Sequence, residues 1–231
     1  MGLKSYLRPF YRPFQPIYAP IFNQLRRQYR RARLVRRETQ RLQREIDAAV
    51  AAQRPIKLIL GAGVTRYAGW IHTDIPYFDM LDGAHWQRAL RGIAVDNILL
   101  EHVVEHIPQA AFVSALGHMR RHLAPTGVVR IAVPDGYHPD PRYIDFVRPG
   151  GNGPGCDDHD ELYTVDVLVA VLQAAGWQAT PLEYYDAAGT FHQHDRDPRH
   201  GLIVRDKGFT APADPALDYS SLIVDARLMH R

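Results

Sequence analysis

The 231-residue chain has one cysteine, Cys156, so no intrachain disulfide can staple it, and that scarcity predicts a reducing, cytoplasmic setting. It has no long uncharged apolar run, which excludes a membrane-spanning helix. Lys4, Arg8 and Arg12 are not followed by an apolar segment, so a secretory leader is not expected; Tyr6 stands where a myristoylation signal needs Ser or Thr. Also missing are the Gly-Lys-Ser/Thr of a phosphate-cradling loop and the third glycine of a dinucleotide fingerprint. What is present is a chain 46% hydrophobic, enough for one α/β domain plus an appendage.

The net charge of +3 conceals two opposite halves. Residues 1–54 hold 13 Lys and Arg against 3 Asp and Glu, whereas the remainder holds 15 against 22. The division predicts a basic arm, 1–54, joined to a globular domain, 55–231. Prolines 9, 13, 16 and 20 predict an extended start over the first twenty residues. From about Ile21 to Gln53, Phe22, Leu25, Tyr29, Ala32, Val35, Leu42, Ile46 and Ala49 recur at steps of three and four, the signature of one long amphipathic helix. Three partners suit such a helix: its own domain or a second copy of the chain, an anionic membrane surface such as the inner face of the cell membrane, and nucleic acid. The last is disfavoured, because no recognition motif accompanies the charge.

Beyond Pro55 strands and helices alternate. Apolar runs at 56–60, 69–75, 95–102, 128–135, 179–186 and 220–228 read as strands, with 77–82 as a short third. Phe112, Leu116, Met119 and Leu123 share one helical face, and Thr164 can cap a second helix that stops at Gly176. The alternation predicts a doubly wound, mostly parallel Rossmann-like sheet with its ligand at the carboxyl ends of the strands.

The stretch KLILGAGVTRYAGWIHTDI, residues 57–75, locates that ligand. Gly61 and Gly63 follow the first strand and permit close approach to the backbone, and Asp74 ends the second, where a carboxylate can accept two hydrogen bonds from a ribose diol. Only VTRYA separates Gly63 from Gly69, too few residues for a crossover helix. A pyrophosphate needs a helix N-terminus aimed at it, so the expected ligand is a nucleoside without phosphates, and S-adenosylmethionine fits. A nicotinamide or nucleotide-sugar enzyme is disfavoured by the same shortness.

The segments KLILGAG, GWIHTDI, VDNILLEHVVEHI and HLAPTGVVRIAVPD resemble the class I S-adenosylmethionine-dependent methyltransferases, closest to the bacterial type 11-like group of predicted methyltransferases, over about residues 56–228. The resemblance implies that Gly61, Ala62 and Gly63 line the methionine part of the cofactor and that Asp74 holds the ribose. It places Glu101 and His102 beside the cofactor and Asp82 near the adenine. Ile59 departs from the family, which usually has an acidic or amide residue there, and motivates a second reading: a non-catalytic adaptor on this fold, working through its basic helix. APTG replaces the more usual KPGG.

No Asn/Asp-Pro-Pro-Tyr/Phe follows the 95–102 strand, so amino groups of nucleic acid bases lose support as acceptors. O-methylation of a small-molecule or saccharide acceptor is the expected activity. A hydroxyl profits from a general base, and the Gly- and Pro-rich stretch 133–163 offers His159 first, then His138, with Asp135, Asp140 and Tyr143 beside them; His192 and His194 lie in a later loop. His106 either lines the site or caps the next helix, and Glu105 reads as a solvated or helix-start acid rather than a catalytic one. No metal is expected, since Cys156, Asp157, Asp158 and His159 are contiguous, a poor spacing for ligands.

Overall fold

Between Pro55 and Asp135 the apolar runs are short, and each becomes a strand ended by a turn. The computed structural model describes residues 15–229, with side chains from residue 23 onward. Helix α1 (Gln15–Ala51) leads into β1 (Lys57–Ile59), β2 (Ile71–His72), α2 (Gly83–Leu90), β3 (Val95–Glu101), α3 (Gln109–His122) and β4 (Leu123–Pro134). Then follow α4 (Pro141–Val147), α5 (Val165–Ala174), β5 (Trp177–Tyr185), β6 (Phe191–Gln193), β7 (Phe209–Ala211), β8 (Asp214–Tyr219) and β9 (Ser221–Leu228).

Seven strands form one sheet in the order β2-β1-β3-β4-β9-β5-β6, and β7 and β8 pair as a separate ribbon. β2, β1, β3 and β4 run parallel; β9 is antiparallel to both β4 and β5. This is the expected mostly parallel Rossmann-like sheet. One face packs on helices through Trp86 and Leu90 of α2, Phe112, Leu116 and Met119 of α3, and Leu168 and Leu172 of α5. Leu42, Ile46 and Ala49, at the end of α1, join the same core.

The opposite face carries Ile59, Leu99, Ala132 and Ile223, one from each of four adjacent strands, and is covered by Tyr67, Trp70 and Ile203 from loops. The reason lies in the crossover. The step from β1 to β2 runs the opposite way along the sheet to the steps from β2 to β3 and β3 to β4. Right-handed connections therefore place its link on the face that the other helices leave free. The link has no helix, as its length predicts, so loops do the covering.

Several expectations are corrected. The helix begins at Gln15, inside the segment expected to be extended; Pro16 sits in its first turn, where a missing N–H costs no intrahelical bond. Residues 1–14 of that segment lie outside the described residues. The stretch 77–82 is not a strand: Asp79 Oδ1 accepts the Leu81 N–H and Asp82 Oδ1 the Ala84 N–H, and these local bonds favour a turn and a helix cap over a ladder. α4 lies inside the Gly- and Pro-rich stretch 133–163, started by Asp140, whose side chain accepts the Arg142 N–H. β6 and the β7–β8 ribbon lie in the late polar loop.

Candidate active site

The parallel strands β1, β2 and β3 end together, and the chain leaving each end lines one cleft. Gly61 turns away from β1 at φ 60°; a Cβ there would sit 2.8 Å from a Val103 methyl, so the turn requires glycine. The Gly63 N–H donates to Asp74 Oδ2 and the Ile75 N–H to Oδ1, each at 2.8 Å. These bonds fix the carboxylate while leaving a further lone pair on each oxygen for a ligand. The cleft has a volume of about 460 Å³ and is lined by Gly61, Thr73 and Asp74 at the strand ends, by Ile75, Phe78 and Met80 along one wall, and by His102, Val103, His106 and Ile107 along the other. A largely apolar slot with the Asp74 carboxylate at the strand ends, and no helix in the link after β1 to seat a pyrophosphate, suits a phosphate-free nucleoside.

His102 follows β3 directly and stands at φ 55°, a left-handed backbone that costs a side-chain-bearing residue on the order of 1 kcal/mol. Its N–H still donates to the Ala132 carbonyl, so the turn is held by the β4 ladder. Its Nδ1 lies 3.0 Å from Glu105 Oε1, and its Nε2 lies 2.9 Å from Ser221 Oγ, which in turn contacts the Arg205 carbonyl. Burial lowers the basicity of the His102 ring, partly offset by Glu105. Burial alone would raise the Glu105 carboxyl, but the facing His102 holds it below the usual carboxylate range. Of the two readings of Glu105 the solvated one fails, since it is 0% exposed, and the helix-start one holds, since it lies in the first turn of the short helix Val104–His106.

A second cavity of about 670 Å³ adjoins the first and shares His102 and His106 with it. Pro134, Phe146, Val147, Cys156, Phe209 and Tyr219 give it apolar walls, and His159, Arg205 and Glu105 supply its polar side. The Glu105 carbonyl accepts the N–H groups of Asp160 and Glu161 at 2.7 and 3.1 Å, which pins the 156–161 segment against the turn after β3. That clamp brings His159 beside His106, their rings 4.6 Å apart and nearly perpendicular. His159 Nδ1 faces the Val147 carbonyl at 2.7 Å, and His106 Nδ1 faces Asp158 Oδ1 at 2.9 Å.

Of the residues expected at the site, Gly61, Asp74 and His102 line the first cleft and His159 the second, while Gly63 acts through its bond to Asp74. The others are placed elsewhere, each for a local reason. Ala62 is buried in the loop-covered face with Ile59 and Leu99. Ile59 points into that apolar layer, where an acidic side chain would have no partner. Asp82 caps α2, and Asp79 lines the cleft in its stead. Glu101 alternates to the far face of β3, where Oε1 accepts the Val204 and Arg205 N–H groups at 2.8 and 2.9 Å.

Asp135 is 0% exposed and accepts the Tyr185 and Tyr137 N–H groups at 2.6 and 3.0 Å. His138 stacks on Tyr143 with centroids 4.0 Å apart. Asp140 is bound to Arg142, Tyr143 is buried with its hydroxyl on the Ser220 carbonyl, and His192 pairs with Asp186 at 2.8 Å. None of these borders either cavity. Glu105 and Arg205 were missed as cavity residues. The repeated Glu-His of EHVVEH pointed to the first, but no local signal pointed to the second.

No protein-family model matches the chain, and no curated protein matches it. Solved structures resemble it distantly. An S-adenosylmethionine-dependent methyltransferase from Archaeoglobus fulgidus is 14% identical with a TM-score of 0.43, over 74% of this chain and 84% of that one. The 1,6-didemethyltoxoflavin-N1-methyltransferase of Burkholderia thailandensis, solved with its substrate and S-adenosylhomocysteine, is 14% identical with a TM-score of 0.43, over 94% and 91%. A pericyclic reaction enzyme is 8% identical with a TM-score of 0.46, over 76% and 43%.

Proposed function

We propose that the chain is an S-adenosylmethionine-dependent O-methyltransferase acting on a small hydroxylated acceptor. The observation that carries this reading is the pair of adjoining cavities with His102 and His106 in their common wall. The first has the Asp74 carboxylate at the strand ends and no crossover helix behind its glycine turn; the second is largely apolar with a few polar groups at one side. Asp74 would accept the ribose hydroxyls, Ile75, Phe78 and Met80 would cover the adenine, and Gly61 would leave room beside the backbone for the amino acid portion. The bound cofactor would supply an electrophilic sulfonium methyl.

The protein's part is to hold the acceptor against that methyl and keep water out, which is where most of the rate for such a displacement arises. His106 and His159 are the groups of the second cavity that reach an acceptor hydroxyl; His138 and Asp135 are shut away from it. The walls favour an acceptor with an apolar, ring-sized body over a saccharide, whose many hydroxyls would go unmatched there. Calorimetry tests the cofactor site. Micromolar S-adenosylhomocysteine binding is expected, and Asp74→Ala should remove it; undiminished binding by that variant overturns the ribose assignment.

A further inference from the structure

The wall between the cavities contains donors that hydrogen bonding leaves unused. Glu105 Oε1 meets His102 Nδ1 at 3.0 Å in poor hydrogen-bond alignment, and Oε2 has no hydrogen-bond partner among the described residues. A fully buried carboxylate oxygen left in this state costs several kcal/mol of solvation. One oxygen of Glu105, one ring nitrogen of His106 and one of His159 lie within 4.8 Å of one another. Donors up to 4.8 Å apart are slightly too spread for one ion at metal–ligand distances of about 2.0–2.2 Å, and side-chain shifts of well under about 1 Å would close them on it.

The second contacts of the two imidazoles point the same way. His159 Nδ1 faces the Val147 carbonyl and His106 Nδ1 faces Asp158 Oδ1. A carbonyl or carboxylate at Nδ1 favours the neutral tautomer with its proton there, which leaves Nε2 as the nitrogen able to ligate. This is how metal-binding histidines are oriented by their outer partners. The clamp of the 156–161 segment onto the Glu105 carbonyl then holds the donors of both segments in place.

We infer that Glu105, His106 and His159 form a binding site for a divalent first-row metal ion, open toward the second cavity. Two imidazoles and one carboxylate suit manganese, cobalt or zinc better than calcium or magnesium, which prefer all-oxygen sites. Three protein ligands leave positions for oxygen atoms from the cavity, so the ion would bind the hydroxyl, or neighbouring hydroxyls, of the acceptor. That role rests on the methyltransferase reading; the metal site itself does not. Sequence spacing had suggested no metal, because the ligands come from segments that meet only in the fold.

The test is a Co²⁺ titration of the full chain after stripping with chelator, followed by visible absorption and calorimetry. One equivalent should bind saturably with a d–d band, and Zn²⁺ should displace it. Glu105→Gln and His159→Ala each remove a ligand and should weaken binding by at least the roughly 10–100-fold that loss of an outer hydrogen-bond partner costs. Because Glu105 is buried and its variant could fail to fold, His106→Ala supplies the same test at a half-exposed position, with circular dichroism confirming the fold. No saturable binding by the wild type, or wild-type affinity in folded His106→Ala and His159→Ala, overturns the proposal. Asp74→Ala should lose S-adenosylhomocysteine but titrate with Co²⁺ like the wild type. The two readings therefore fail separately.

Discussion

At the scale of single residues, this protein compensates buried charge more fully where it anchors the sheet than elsewhere in the fold. Arg130 is 1% exposed, yet its guanidinium grips both oxygens of Asp225 at 2.7 and 2.9 Å and the Asp197 and Gly201 carbonyls at 3.0 and 2.6 Å. Every nitrogen of the fork is used, and the 197–201 loop is held over the face that has no helix. Asp135 is buried with less compensation: burial, opposed by two backbone N–H bonds, pushes its carboxyl up to about 6. Its folded pKa therefore lies above its unfolded value, so the folded state binds the proton more tightly. Its contribution favours folding fully below about pH 4 and is lost as the pH rises through about 6, by at most ~3 kcal/mol. Urea unfolding of the wild type and Asp135→Asn across pH 4–7 measures this. The wild type should lose stability relative to the variant over that window, and a flat difference would contradict it.

At the scale of elements, the long basic helix α1 has two unlike ends. Its last turns belong to the core: Leu42 and Ile46 are 2% and 0% exposed, and the Gln43 amide donates to the Ala89 carbonyl at 2.7 Å. Arg41 reaches the His72 carbonyl at 2.8 Å, tying the helix to the strand that carries the site. Farther back the apolar stripe is uncovered, with Leu25 and Tyr29 57% and 64% exposed. Ile46→Ala should lower stability by roughly 2–5 kcal/mol through the cavity it leaves, measured by chemical denaturation. The expected stripe is thus one continuous pattern in the sequence but two environments in the fold. Periodicity reports which residues share a face and says nothing about what lies opposite. The same limit applies to 77–82, where strand-like composition was overridden by Asp79 and Asp82 binding nearby N–H groups.

For the whole molecule, the shortened crossover is the feature from which the rest follows. Removing its helix removes a phosphate seat from the cleft and a cover from one face of the sheet. Loops 64–70 and 197–205 take over that cover, with the Arg130–Asp225 pair beneath them. No helix among the described residues is long and apolar enough to cross a membrane. The part of α1 that packs on the core starts at Leu42; farther back Arg31 borders a shallow surface cavity on the outer side of Ile75 and Asp79 but not the cleft itself. Deleting residues 1–35 should leave S-adenosylhomocysteine affinity within about twofold of the full chain, by calorimetry, and shift the melting temperature little. Loss of cofactor binding on truncation would show that the arm shapes the cleft.

The mostly parallel sheet and the abbreviated link, with Gly61 and Asp74 at the strand ends, could be read from the chain, because each rests on local patterning: runs of apolar residues, turn glycines and a count of residues too small for a helix. Which acids and histidines face the cleft could not be read so. Glu101 and His102 are neighbours, yet strand alternation and one left-handed residue send them to opposite sides. His138 and His159 look alike in sequence, but one is stacked beneath Tyr143 and the other is drawn beside His106 by backbone bonds to Glu105. Their burial is settled by contacts between distant segments, and those exist only once the sheet has assembled.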